Sequence, residues 1–167
     1  MLWTRMPVQI WPRYHQLDVV RRLLADALGK GPGERYLVQH SAGSGKSLSI
    51  AWLAHQLVGL EKDGKKVFNS SIVVTDRRLL DKQIRDTIKQ YAQVGATVGA
   101  VKDGGGKSKT EQLKEFLEAE KPIIIVTIQT FPHVLDQLGG GHRDKNYAII
   151  IDEAHSSQGG RTAAKMS

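Results

Sequence analysis

The stretch from His40 to Ser47 combines small residues with one lysine in a spacing that suits phosphate binding. It reads His-Ser-Ala-Gly-Ser-Gly-Lys-Ser and follows a short apolar run. Glycines allow successive backbone N–H groups to point at phosphate oxygens, and the N-terminus of a following helix adds its dipole. In such a phosphate loop Lys46 contacts the β- and γ-phosphates, and the Ser47 hydroxyl ligates Mg²⁺. The spacing therefore predicts a site for ATP and Mg²⁺, with contacts from Gly43, Ser44, Gly45, Lys46 and Ser47.

One position departs from the usual Gly-x-x-x-x-Gly-Lys-Ser/Thr pattern, because His40 stands where the first glycine is expected. The loop tolerates a side chain there if His40 adopts the ordinary dihedral angles of a strand end. The alternative is a glycine-rich turn with an incidental lysine. An apolar run before the loop and a helical pattern after it favour the phosphate loop.

A second group of polar residues, Asp152-Glu153-Ala154-His155, follows an entirely apolar run. A carboxylate at the end of a buried strand can hold the Mg²⁺ of a bound nucleotide, and a neighbouring carboxylate can orient or deprotonate the attacking water. We assign Asp152 to the metal and Glu153 to the water. The alternative is an acidic cap between a strand and a helix. The position of these four residues downstream of a phosphate loop favours the catalytic role, in which Lys46, Asp152 and Glu153 act together.

Apolar runs and amphipathic stretches alternate along the chain and must position these groups. Strands are predicted at 36–38, 71–75, 97–101, 123–127 and 147–151. Helices are predicted at 14–28, after Ser47, at 76–91, after a capping box formed by Ser108 and Glu111, and at about 131–138. Continuous apolar strands that alternate with helices predict an α/β domain with a mostly parallel central sheet and helices on both faces.

Bulk composition agrees with a single globular domain. The chain has 167 residues, 40% of them hydrophobic and 25% charged, with no cysteine. No apolar run approaches the roughly 20 residues that span a bilayer, so we predict no membrane partner, and the lack of cysteine fits a cytoplasmic protein. The net charge of +7 is compatible with a phosphate polymer as partner, although many basic domains bind none. Scattered histidines give no sign of a structural metal.

Taken together, the two motifs resemble those of the first RecA-like lobe of superfamily 2 helicases and translocases, which are P-loop NTPases with a DEAH box. Arg13-Tyr14-His15-Gln16 is similar to the adenine-recognition motif of that group, 73–83 to motif Ia and 126–131 to motif Ib. The segment 152–160, with Ser157-Gln158-Gly159 after the box, resembles the motor subunit of type I restriction enzymes. The resemblance extends from about Trp11 to Arg161.

This resemblance implies roles for further residues. Gln16 would pair with the adenine edge, with Arg13 beside it, and His155 would couple the ATP site to the next motif. A DNA-facing rim would contact phosphate oxygens through Thr75, Arg77, Thr127, Gln129 and Thr130. The alternatives stay open at this point: Gln16 could face solvent, a threonine at a strand end could be a helix cap, and Arg77 and Arg78 could be solvated.

The resemblance also implies an activity and partners. The intact protein would be an ATP-dependent translocase on double-stranded DNA and a subunit of a type I restriction endonuclease. Its partners would be a second RecA-like lobe and the methyltransferase and specificity subunits. Alternatives are a stand-alone superfamily 2 helicase or repair motor, and a non-hydrolysing nucleotide-binding interaction module.

Domain boundaries follow from the same resemblance. We expect residues 1–12 to be a lead-in segment and 13–167 to be the first lobe, ending before a Thr-Gly-Thr-Pro-like motif III. The second lobe, with its arginine for the transferring phosphoryl group, and an upstream nuclease domain are expected in a longer protein. By itself the chain is expected to bind Mg·ATP weakly and to hydrolyse it slowly or not at all.

Overall fold

The computed structural model of the protein describes residues 12–41, 43–75, 86, 88, 98–101, 106–132 and 144–152. Its helices are α1 (Tyr14–Lys30), α2 (Lys46–Val58) and α3 (Lys109–Glu118). Its strands are β1 (Glu61–Lys62), β2 (Lys65–Lys66), β3 (Ser70–Thr75), β4 (Val98–Ala100), β5 (Ile123–Thr127) and β6 (Tyr147–Ile151). The predicted helix at 76–91 lies outside these residues except for 86 and 88, and so does most of the helix predicted at 131–138. The lead-in segment, apart from Pro12, also lies outside them.

Four of the strands form one parallel sheet in the order β4-β5-β3-β6. In this sheet Val73 of β3 lies in register with Ile125 of β5 and Ile150 of β6. Parallel neighbours need a crossover connection, which is why amphipathic helices separate these strands in the sequence. The predicted α/β class with a parallel sheet is confirmed.

Alternation along the strands divides the core between the two faces of the sheet. On one face Ile72 and Val74 pack with Leu113 and Leu117 of α3. On the other face Val73 of β3 and Ile123 and Ile125 of β5 pack with Ala51 and Ala54 of α2. The small alanine side chains let α2 lie close to the sheet. A third cluster joins α1 and α2 to the base of β6 through Ala27, Leu57, Val67, Phe68 and Ala148.

Gly99 of β4 marks a tight contact between the sheet and α3. A Cβ atom on Gly99 would lie 2.8 Å from both Cγ and Cδ2 of the Phe116 ring. We therefore expect Gly99→Ala to lower the free energy of unfolding by about 1–3 kcal/mol, the usual cost of overpacking. Gly29→Ala is the matched control, because Gly29 lies in α1 with no atom within 4 Å of the added methyl group. Denaturant unfolding checks both variants, and equal or higher stability of Gly99→Ala would contradict the contact.

A short hairpin, β1–β2, connects α2 to β3 and is not among the predicted elements. Its two-residue turn is Asp63-Gly64, with φ values of 52° and 74°. Positive φ at both central residues is the geometry of a type I′ turn, for which Asp-Gly is a favoured pair. The turn residues therefore specify this hairpin locally.

The prediction of a buried strand at 36–38 is wrong. Tyr36, Leu37 and Val38 are 44%, 86% and 44% exposed and belong to neither sheet. An apolar run forms a stable strand only when a neighbour pairs with its backbone. Of the described strands, only β3 pairs with β6, so the segment 36–38 is not hydrogen-bonded to β6 as a strand. Instead, β6 and the segment 34–40 both line a cavity of about 1090 Å³. The segment therefore borders the sheet without joining it.

Tyr36 is anchored to α1 by its hydroxyl group. The Tyr36 hydroxyl donates to Asp26 Oδ2 at 2.7 Å, and Lys30 Nζ lies 3.0 Å from the same carboxylate. The hydrogen bond to Asp26 raises the pKa of Tyr36 from 10.0 to about 12, and the same bond lowers the pKa of Asp26. Because the pKa of Tyr36 is higher in the folded state than its ordinary value, this bond stabilises the fold fully below pH 10.0. The stabilisation is lost as the pH rises toward 12 and the hydroxyl group ionises.

Replacing Asp26 by asparagine tests this assignment. We expect Asp26→Asn to lower the Tyr36 pKa toward its ordinary value, because the amide removes the negative charge that disfavours the phenolate. Tyrosinate absorbance measured against pH reports the change, with Asp18→Asn as a control on the same helix. Identical titration curves for Asp26→Asn and the unaltered chain would contradict the hydrogen bond.

Candidate nucleotide-binding site

The predicted phosphate loop leads directly into α2. Gly45 is the N-cap of this helix and adopts left-handed dihedral angles, φ 82° and ψ 36°, and Gly43 also has a positive φ of 74°. Such angles are accessible to glycine at little cost and are unfavourable for other residues. They turn the chain sharply so that α2 begins at Lys46, and the first N–H groups of a helix have no partners within it. The loop therefore has the backbone geometry of an anion-binding helix start.

Gln16 of α1 holds this loop in place. Its Nε2 donates to Ser44 O at 3.1 Å and to Gly45 O at 3.0 Å, while its Oε1 accepts from Arg13 N at 2.9 Å. The side chain is 2% exposed. These three bonds fix the orientation of the amide, since exchanging oxygen and nitrogen would set acceptor against acceptor and donor against donor. Gln16 is thus buried and is not solvent-facing, and both of its N–H donors are committed to the loop.

The contact also explains why Gly45 must be glycine. A Cβ atom at this position would lie 2.3 Å from Gln16 Nε2, in addition to the strain of a positive φ. The adenine-pairing role predicted for Gln16 stays a prediction. A glutamine that reads adenine donates to N7 and accepts from N6. In this conformation such pairing would require one of the loop bonds to break.

Replacing Gln16 by alanine separates these two roles. We expect Gln16→Ala to weaken binding of both Mg·ATP and Mg·tripolyphosphate by about tenfold, because loss of one or two buried hydrogen bonds releases the loop. Isothermal titration calorimetry measures both constants. A loss confined to ATP, with tripolyphosphate binding unchanged, would instead assign Gln16 to the base.

Asp152 lies immediately after β6, at the carboxyl end of the sheet. It is 8% exposed, and its backbone N–H donates to Val74 O at 2.9 Å, which extends the ladder between β3 and β6. Asp152 and Lys46 both line the cavity of about 1090 Å³, together with Ser49 of α2. The fold therefore brings two predicted catalytic residues, which are more than 100 positions apart in the sequence, to one cavity. Glu153 and His155 lie outside the described residues.

A second, smaller cavity of about 400 Å³ shares Gln39 and His40 with the larger one. Its lining consists of Arg13, His15, Gln39, His40, Ser41, Gly43 and Ser44. The rings of His15 and His40 meet edge to face, with centroids 5.5 Å apart and planes at 78°. His15 Nε2 also lies 3.0 Å from Ser44 O. The sequence did not point to this histidine pair, although His40 was noticed as a departure from the loop pattern.

Comparison with known protein families matches residues 15–167 to the SWI2/SNF2 ATPase family. The chain belongs to that family. No curated protein matches the sequence. Membership of the SWI2/SNF2 ATPase family identifies the domain as a superfamily 2 helicase-like, ATP-binding lobe with a RecA-like fold. The predicted phosphate loop falls within the matched region.

The residues of this SWI2/SNF2 ATPase lobe fit a nucleotide with its divalent metal. The Oγ atoms of Ser44 and Ser49 are buried and have no hydrogen-bond partner among the described residues, which leaves them available to a ligand. Mg²⁺ is usually held by one or two carboxylates together with phosphate oxygens. Ser47 and Asp152 would hold it here. The described ranges contain no group of three or more His, Asp or Glu side chains that could hold a metal by themselves.

The threonines predicted for the DNA-facing rim cluster at the same end of the sheet. Thr75 and Thr127 end neighbouring strands in register, and Thr127 Oγ1 lies 3.1 Å from Thr130 Oγ1. Thr75 and Thr130 are 0% and 2% exposed, whereas Gln129 is exposed. Gln129 is therefore the best-placed of these four residues to contact a ligand directly, and Arg77 lies outside the described residues. None of the described helices in this SWI2/SNF2 ATPase is long and apolar enough to cross a membrane.

Proposed function

We propose that this chain is the ATP-binding lobe of the motor subunit of a type I restriction endonuclease. In the intact protein it would couple ATP hydrolysis to translocation on double-stranded DNA. The observation that carries the ATP part is the cavity shared by Lys46 of the phosphate loop and Asp152 of the Asp-Glu-Ala-His box. The restriction part rests on the resemblance of 152–160, together with the Tyr-His-Gln and Thr-Asp-Arg-Arg stretches, to that class of motor.

Phosphate binding follows from the charge and geometry of the loop. The start of α2 directs backbone N–H groups and the positive end of the helix dipole at the bound anion. Lys46 adds a full positive charge beside the same cavity, which offsets the negative charge of the β- and γ-phosphates. The bonds from Gln16 to Ser44 and Gly45 keep the loop in this arrangement before the nucleotide arrives.

Hydrolysis needs a water aligned with the γ-phosphorus and a leaving group whose charge is neutralised. Mg²⁺, when bound, would neutralise charge on the phosphate oxygens. Asp152 would hold this ion, and Lys46 would stabilise charge on the transferring phosphoryl group. By its place in the box, Glu153 would orient the water and accept its proton as the new P–O bond forms and the β,γ-bridging bond breaks. The products would be ADP and inorganic phosphate.

Translocation would require partners beyond this chain. A second RecA-like lobe would close over the nucleotide. Gln129, which is exposed, would contact the duplex together with Thr127 and Arg77, whereas Thr75 and Thr130 are buried at the same end of the sheet. Phosphate contacts position a protein on DNA without reading its sequence. Recognition of a site would therefore come from a specificity subunit that acts with a methyltransferase subunit.

The match to the SWI2/SNF2 ATPase family also favours a second candidate, an ATP-dependent motor on duplex DNA outside any restriction system. Both candidates have the same ATP site, but only the restriction motor would also carry a nuclease domain. They are distinguished by the domains that accompany this lobe in the intact polypeptide.

An assay on the full-length protein tests the proposal. ATP hydrolysis is measured with and without duplex DNA, and DNA cleavage is measured after addition of the methyltransferase and specificity subunits. We expect duplex-stimulated hydrolysis that Asp152→Asn abolishes, and cleavage that requires ATP. Duplex-stimulated hydrolysis without cleavage would favour the second candidate, and hydrolysis indifferent to DNA would contradict both.

A further inference from the structure

The histidine pair beside the phosphate loop has no role in the site described so far. His15 belongs to the first turn of α1, and His40 is the first residue of the loop, so α1 and the loop each contribute one imidazole. The two rings pack edge to face at 5.5 Å, within the range of favourable aromatic contacts. Because His15 Nε2 also lies 3.0 Å from Ser44 O, the pair is attached to the loop at a second point.

The cavity that contains these rings has a lining suited to a planar, electron-rich group. Its described lining consists of two imidazoles, the Arg13 guanidinium, the Gln39 amide and small loop residues, and none of these residues carries a carboxylate. Its volume of about 400 Å³ falls in the range of small-molecule pockets. Imidazole and guanidinium planes both stack on nucleobases. A nucleobase attached to phosphates held by the loop would lie within reach of this cavity.

Gln16 leaves base recognition to other residues in this conformation. Both of its N–H donors are bonded to Ser44 O and Gly45 O, so it has none left to donate to a base. His40 is different, since its ring is partly exposed and lines the cavity. Glycine, the usual residue at this position of the loop, would offer no surface to a base.

We propose that His40, held in place by His15, stacks on the nucleobase. The site therefore binds a nucleotide more tightly than it binds inorganic tripolyphosphate. This inference rests on the proposed nucleotide-binding function. His40 is thereby a specificity-determining residue, and His15 is a positioning residue that acts through it. The competing possibility is that the His40 ring donates a hydrogen bond to phosphate, which would strengthen binding of every polyphosphate alike.

The test compares two ligands on a set of variants. Calorimetry measures the dissociation constants of Mg·ATP and Mg·tripolyphosphate for the 167-residue chain, His40→Ala, His40→Phe and His15→Ala. Gln56→Ala is the control, because Gln56 is exposed on α2 and lines neither cavity. Circular dichroism checks that each variant keeps its fold.

If His40 stacks on the nucleobase, its removal should lower the affinity for ATP selectively. His40→Ala should weaken ATP binding by about tenfold and leave tripolyphosphate binding within about twofold, since alanine removes the stacking face alone. His40→Phe should restore ATP binding, because a phenyl ring stacks without carrying charge. His15→Ala should also weaken ATP binding selectively, but by a smaller factor than His40→Ala.

Other outcomes overturn the proposal and separate it from the function on which it rests. Equal losses for both ligands in His40→Ala, without rescue by phenylalanine, would assign His40 to phosphate. Unchanged affinities in that variant would remove His40 from the site while ATP binding by the loop stands. Failure of the unaltered chain to bind either ligand would overturn the nucleotide-binding function itself, and with it the stacking of His40 on the nucleobase.

Discussion

Replacing Lys46 by alanine is expected to weaken Mg·ATP binding by about a hundredfold. Lys46 lines the same cavity as Asp152 and is the first residue of α2, whose N-terminus would face the phosphates of a bound nucleotide. Hydrogen bonds to charged groups contribute about 1.5–3 kcal/mol each, and one amino group here serves two phosphates. A loss of about 3 kcal/mol corresponds to about a hundredfold in affinity. Titration calorimetry with Mg·ATP measures it.

The control for this variant is Lys65→Ala, which removes an equal charge from the exposed hairpin β1–β2. The control keeps the net charge of the two variants the same, so a general electrostatic effect would appear in both. Similar affinities for Lys46→Ala and Lys65→Ala would contradict the assignment of Lys46 to the phosphates. Circular dichroism checks that both variants keep their fold.

Replacing Ile72 by alanine is expected to lower the free energy of unfolding by about 2–5 kcal/mol. Ile72 is 0% exposed in the middle of β3 and packs with Leu113 and Leu117 of α3. Removing three carbon atoms loses their transfer free energy and leaves a cavity that the surrounding strands cannot fill. Denaturant unfolding followed by circular dichroism measures the change.

Ile149 provides a matched control for this substitution. It lies directly opposite Ile72 in the β3–β6 ladder, yet it is 41% exposed. The same change, Ile149→Ala, should therefore cost less than about 1 kcal/mol. If both variants lost the same stability, the burial of Ile72 between β3 and α3 would be contradicted.

Local patterns were sufficient for most of the scaffold. The runs Ser71–Thr75, Ile123–Thr127 and Tyr147–Ile151 were predicted as strands, and the structure confirms them to within one residue. The capping box at Ser108 and Glu111 is also present, with bonds of 2.8 and 3.1 Å between the two residues. These features depend on neighbours within a few positions or on continuous apolar character, both of which are visible in sequence.

The two errors in the scaffold have different causes. The Asp63-Gly64 turn was a readable signal for a hairpin, but the flanking strands are two residues long and too polar to show a strand pattern. The strand at 36–38 was predicted from apolar character alone. Whether such a run pairs depends on a neighbour far along the chain, and periodicity does not contain that information.

In the candidate site, as in the scaffold, local features were predicted from the sequence and contacts between distant residues were not. The loop residues from Gly43 to Ser47 and the aspartate at the end of β6 were found because their spacing is local. The bond network of Gln16 and the packing of His15 on His40 join residues 25 or more positions apart. Such contacts follow from how α1 lies against the loop, which only the folded chain determines. Gln16 was predicted to pair with adenine, which stays a prediction, and its bonds to the loop could not be foreseen.

Hydrogen–deuterium exchange with and without Mg·ATP tests the central claim most directly, because it reports where the nucleotide binds. The loop at 40–47 and the end of β6 at Asp152 are expected to form one site on the cavity that they both line. We predict that Mg·ATP slows exchange in both segments together, and that Lys46→Ala removes both effects. Protection confined to one of the two segments, or located elsewhere in the chain, would contradict a single site built from the phosphate loop and the Asp-Glu-Ala-His box.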